Sequence, residues 1–163
     1  KFSLIQIVTP SRLDVEAYRQ NKREIDETVG RVNGRFSDST WIPIRYLHRS
    51  FSPSELIAYY RTADIALVTP LRDGLNLVAK EYAASRIHDD GVIILSEFAG
   101  AAHQLPEALI TNPYGQEEMA ATLELALKMP IAEQHWRMEA MRNRIKSQDI
   151  KWWANEFLGR INP

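Results

Sequence analysis

Five short apolar runs, separated by stretches with helical spacing, most constrain what this chain can fold into. They are Phe2 to Val8, Ile42 to Leu47, Asp64 to Thr69, Gly91 to Leu95 and Ala108 to Thr111. Runs this short and this apolar read as buried strands. Between them Asp14 to Phe36 carries Val15, Tyr18, Ile25, Val29 and Val32 at helical intervals. Ser52-Pro53 supplies a cap and a proline at the first helical position, predicting a helix to Thr62. Further helices are predicted from Leu77 to Arg86, Glu117 to Met129, Ile131 to Lys146 and Ile150 to Arg160. Alternation of this kind implies βαβ units, hence an α/β fold with a doubly wound parallel sheet. In such sheets ligands collect beyond the C-terminal ends of the strands. The turns holding Arg12, Phe51, Asp73 and the small-residue loop Ala99-Gly100-Ala101-Ala102 are therefore the places to look.

Composition removes several function classes. The 163 residues suffice for one domain with a real core. The 20 basic and 21 acidic residues are scattered, so the clustered basic surface needed for nucleic acid is missing. With no cysteine, disulfides and thiolate metal sites are excluded, which fits a cytoplasmic location. His48, His88, His103 and His135 have no metal-ligand spacing, so no metal and no cofactor is expected. No apolar run reaches the roughly 20 residues of a membrane span. The strand-like start at Lys1 suggests a piece of a longer protein. Trp136, Trp152 and Trp153, on predicted amphipathic helices, are expected to be packing anchors.

The segment Leu67 to Ala84 carries the chemistry. A strand ends at Pro70, a loop presents Asp73 and Gly74, Asn76 stands at a helix cap, and Glu81 lies one turn inside. Asp73-Gly74-x-Asn76 by itself is a turn plus an N-cap and needs no ligand. Glu81 by itself reads as a solvated helix glutamate. Together they suggest more. The helix N-terminus offers unpaired N–H groups and partial positive charge to a phosphate. Glu81 shares a face with Leu77, about 6 Å further along the axis. An anion site and a carboxylate so placed suit a nucleoside diphosphate and its ribose diol.

The stretch Leu71-Arg72-Asp73-Gly74-Leu75-Asn76-Leu77-Val78-Ala79-Lys80-Glu81-Tyr82 closely resembles the donor-site motif of the trehalose-6-phosphate synthases. These are retaining glucosyltransferases of two Rossmann-like domains, the GT-B architecture. Gln6 to Arg12, Gly30 to Phe36, Ser96 to Ala102 and Asn112-Pro113-Tyr114 resemble the family's segments as well. Leu75 stands where many members have methionine.

The resemblance implies a Rossmann-like, nucleotide-sugar-binding domain over 1–148 that lacks its first βα unit. It also implies a C-terminal helix over 149–163 that crosses back to an N-terminal Rossmann domain missing from this sequence. The implied partners are UDP-glucose and glucose 6-phosphate, with homo-oligomerisation left open. Leu77, Val78, Ala79, Lys80 and Glu81 would bind UDP, backbone amides to phosphate and Glu81 to ribose, with Asn76 capping the helix. Phe51 would meet the uracil. Asp73, the catalytic residue of this reading, would face the donor glucose hydroxyls with Gly74 beside it. Arg12 would contact the acceptor phosphate. Alternatives are a related transferase or pseudo-glycosyltransferase with another acceptor, and a non-catalytic regulatory domain. Retention without an obvious nucleophile suggests front-face departure of UDP.

Overall fold

The computed structural model describes residues 1–10 and 15–161. The chain divides into two compact units, Lys1–Pro53 and Ser54–Pro163. All strands pair in parallel, as their alternation with helices predicts.

In the first unit β1 (Leu4–Val8) pairs with β2 (Ile44–His48), Leu4 opposite Ile44 and Val8 opposite His48. Between them runs α1 (Glu16–Phe36). Its last turns are tied to β2 by one side chain. Asn33 Nδ2 donates to Ile44 O at 2.9 Å, and Ile44 N donates to Asn33 Oδ1 at 3.0 Å. An amide satisfies both backbone groups at a strand start where the ladder offers none. The turn into β2 is organised by Asp38, whose Oδ1 accepts from Thr40 N and Trp41 N, each at 2.8 Å. The Lys1 ammonium and these hydrogen bonds hold the Asp38 carboxyl down at about 2.

The second unit opens with α2 (Pro53–Thr62) and contains the sheet β3 (Ile65–Val68), β4 (Val92–Ser96) and β5 (Leu109–Thr111), with β4 in the middle. Every residue of β4 is buried. Alternate side chains point to opposite faces of a strand, so β4 serves two cores. Ile93 and Leu95 pack with Ala79, Tyr82 and Ala83 of α3 (Leu77–Ser85) and with Met138 and Met141 of α5 (Ile131–Ser147). Val92 and Ile94 pack with Ala126 of α4 (Gln116–Lys128) and with Met129. Helices on both faces are why β4 is apolar up to its last residue, Ser96.

Two expectations change. Ala99 to Ala102 is not an open loop, because Gly100–His103 forms a 3₁₀ turn with Ala101 fully buried. The tryptophans of the C-terminal helices are not packing anchors within the described residues. Trp136 is 60 % exposed, and Trp153, on α6 (Ile150–Ile161), is 52 % exposed and stacks on Phe157 at 5.3 Å. The apolar positions of α6, among them Ile150, Leu158 and Ile161, face outward. No described helix is long and apolar enough to cross a membrane.

Candidate functional site

The strand β3 delivers the chain to Pro70, and the loop beyond it is clasped by the loop beyond β4. Asp73 N donates to Phe98 O at 3.1 Å, Gly100 N to Asp73 O at 3.0 Å, and Ala101 N to Leu75 O at 2.7 Å. Asp73 and Ala99 form a single parallel bridge, so the two loops prolong the sheet by one step. The backbones approach so closely that only glycine fits at 100. A Cβ there would lie 2.1 Å from Gly74 O. A Cβ on Gly74 itself would meet nothing within 4 Å.

Inside the clasp the acid and the cap support each other. Asp73 Oδ1 accepts from Leu75 N at 3.0 Å, and Oδ2 accepts from Asn76 Nδ2 at 3.1 Å. The Asn76 Oδ1 in turn accepts from Ala79 N at 3.1 Å and caps α3. Asn76 has φ of 72°, a region asparagine tolerates better than other non-glycine residues. Its amide is thus donor to the acid and acceptor for the helix at once. The N–H groups of Leu77 and Val78 find no acceptor among the described residues. Both side chains are exposed, Leu77 at 58 %. A helix start with two unpaired donors and an open approach is the arrangement a phosphate oxygen needs.

One turn further, Glu81 Oε2 accepts from Tyr60 Oη of α2 at 3.1 Å. Burial and the neighbouring carboxylate push the Tyr60 hydroxyl up to about 12, so at neutral pH it is the donor. Lys80 turns the other way. Its side chain borders a small cleft with Gln104, Leu105, Arg144, Ile145 and Gln148, and burial lowers its pKa. From that position Lys80 offers the helix start only its backbone. Ala79 is fully buried in the core.

The structure therefore brings Asp73, Gly74, Asn76, Leu77, Val78, Ala79, Lys80 and Glu81 together on one loop and helix start. Phe51 belongs to the first unit, where the Arg49 guanidinium lies 4.2 Å from its ring centroid. Arg12 lies outside the described residues. Three contributors were not foreseen as such. Tyr60 had no signal beyond its place on a helix, and it meets Glu81 across 21 residues. Arg86, buried at the end of α3, donates to Tyr60 O, Arg61 O and Ala63 O and pairs with Asp90 at 2.7 Å. Gly100 stood out only as part of a small-residue run.

Known proteins resemble this chain along nearly its whole length. The chain is 46 % identical to the trehalose-6-phosphate synthase of Klebsiella pneumoniae over 167 residues, covering all of this chain and 35 % of that protein. It is 45 % identical to the glucosylglycerol-phosphate synthase of a Picosynechococcus strain over 157 residues, 96 % of this chain and 31 % of that one. The crystal structure of an alpha,alpha-trehalose-phosphate synthase (UDP-forming) from Burkholderia xenovorans, in complex with glucose-6-phosphate, superposes with a TM-score of 0.92 at 43 % identity. That match covers 96 % of this chain and 34 % of the other. The chain thus spans about a third of the length of these relatives. Residues 1–163 match glycosyltransferase family 20 from end to end, and the chain belongs to that family.

Proposed function

We propose that the protein transfers glucose from UDP-glucose to glucose 6-phosphate, giving trehalose 6-phosphate and UDP with retention at the anomeric carbon. The observation that carries this reading is the capped start of α3, with two unpaired N–H groups and Glu81 one turn beyond, in a family 20 chain. The β-phosphate oxygen leaves with the electron pair of its bond to the sugar. The acceptor hydroxyl attacks the same face, and its proton passes to the departing phosphate. The chain's task is to hold the diphosphate and stabilise its growing charge. Backbone N–H groups at Leu77 and Val78 take the phosphate, Glu81 the ribose diol, Phe51 the uracil, Asp73 and Gly74 the glucose hydroxyls. Arg12 takes the acceptor phosphate, since guanidinium–phosphate pairing is strong and bidentate.

This chain is the donor-binding part. A second domain presents the acceptor, and the exposed apolar positions of α6 are the surface that reaches it. A cytoplasmic location suits these soluble, phosphorylated substrates. A second reading, glucosyl transfer to glycerol phosphate, is favoured by the 45 % identity to a glucosylglycerol-phosphate synthase. Release of UDP by the complete protein, measured with glucose 6-phosphate and with glycerol 3-phosphate, separates the two. Turnover confined to glycerol 3-phosphate would replace the first reading by the second. No UDP release with either would reject the first reading. In the same protein Glu81→Ala should weaken UDP binding about ten- to hundredfold, the loss of a hydrogen bond to a charged acceptor. Unchanged UDP affinity by calorimetry would reject the ribose assignment.

A further inference from the structure

We propose that Tyr60 is the positioning residue for the donor ribose, its hydroxyl holding the Glu81 carboxylate where the diol meets it. The inference rests on the reading of Glu81 as the ribose acceptor. Glu81 lies exposed on α3, and a free glutamate there would sample several rotamers. The hydrogen bond from Tyr60 Oη to Oε2, at 3.1 Å, selects among them. An ionised carboxylate has about four lone-pair positions, so Oε1 and part of Oε2 remain for two ribose hydroxyls.

Tyr60 can impose that choice because it is itself held. Its ring meets Tyr82 edge-on, centroids 6.4 Å apart with planes at 82°. Tyr82 is buried, and its hydroxyl donates to Ala63 O at 2.9 Å. The backbone carbonyl of Tyr60 accepts from Arg86 Nη1 at 3.1 Å, and the same nitrogen reaches Arg61 O at 2.5 Å. Arg86 sits at the end of α3, so the helix that carries Glu81 also anchors the helix end that carries Tyr60. The circuit is closed: α3 to Arg86, Arg86 to the last turn of α2, Tyr60 back to α3. A carboxylate oriented before binding spares the ligand the cost of ordering it.

The test compares UDP with 2′-deoxy-UDP in the complete protein, for the unmodified enzyme, Tyr60→Phe and Glu81→Ala. Tyr60→Phe removes one oxygen and keeps the ring on Tyr82 and the carbonyl on Arg86. UDP affinity should fall about three- to tenfold. The preference for UDP over 2′-deoxy-UDP should shrink by a similar factor, and the KM for the acceptor should not change. If Glu81→Ala leaves UDP affinity and that preference intact, the ribose reading itself fails. If Glu81→Ala abolishes the preference while Tyr60→Phe retains it in full, the ribose reading stands and the role of Tyr60 is overturned. Equal losses for both nucleotides in Tyr60→Phe would show a merely structural residue and would also overturn it.

Discussion

Replacing Gly100 by alanine should damage donor binding. The added Cβ would lie 2.1 Å from Gly74 O, 2.8 Å from Gly74 C and 3.3 Å from Leu75 Cα. Carbon and oxygen ordinarily come no closer than about 3.3 Å, so one backbone must retreat by about 1 Å. Neither can give way as a flexible side chain would, because both are main chain. The retreat stretches three hydrogen bonds: Asp73 N to Phe98 O, Gly100 N to Asp73 O, and Ala101 N to Leu75 O. At about 0.5–1.5 kcal/mol each, their complete loss would cost about 1.5–4.5 kcal/mol. The loop that moves carries Asp73 and Asn76, so the helix start moves with it. UDP titrations should show at least tenfold weaker binding, and thermal unfolding a lowered midpoint. Gly74→Ala is the stability control, since its Cβ meets nothing within 4 Å and its melting should match the unmodified protein. Wild-type UDP affinity and melting in Gly100→Ala would refute the reasoning.

Arg86→Met should destabilise by about 2–4 kcal/mol in urea, chiefly because it removes the side-chain donor to the carbonyls of Tyr60 and Arg61, while Asp90 stays open enough to be solvated. Burial pushes the Tyr82 hydroxyl up to about 12 against an ordinary value near 10. The unfolded chain therefore loses this proton first, and stability should fall between about pH 10 and pH 12. Tyr60, raised to about the same value, contributes to the same limb, so Tyr82→Phe should make it roughly half as steep; an unchanged limb would assign it to other groups. Arg12→Ala should raise the KM for glucose 6-phosphate far more than that for UDP-glucose, with glucose as the control acceptor. Equal harm to both acceptors would reject the phosphate contact.

In the second unit the apolar runs were enough to read the parallel strands, because burial on both faces leaves few polar positions. β4 illustrates this: Ile93 and Leu95 serve one core, Val92 and Ile94 the other. Asn76 was legible as a cap because capping is local, reaching only three residues to Ala79. What escaped was long in sequence and short in space. Tyr60 meets Glu81 across 21 residues, and Arg86 meets Tyr60 O across 26. No periodicity encodes which side chain of one helix reaches the next. The need for glycine at 100 follows from the approach of a second loop, which a motif centred on Gly74 does not contain. The outward tryptophans show the converse error. Amphipathic spacing identifies an apolar face but not what covers it.

Two independent holds converge on α3. At its start the loop after β4 grips Asp73 and Leu75 through the backbone, and Asn76 turns the grip into a cap. At its end Arg86 ties it to α2, which returns Tyr60 to Glu81. On the proposed reading, the N–H groups of Leu77 and Val78 are consequently aimed before the diphosphate arrives. Donors already in place require no reorganisation when negative charge grows on the leaving group, and that is what makes such dipoles effective in a reaction. The cap also leaves one polarity of ligand favoured, since the partial charge at a helix start is positive. On this reading the strain accepted at Asn76 and the tight approach at Gly100 serve one end, a helix start held rigid against a departing phosphate.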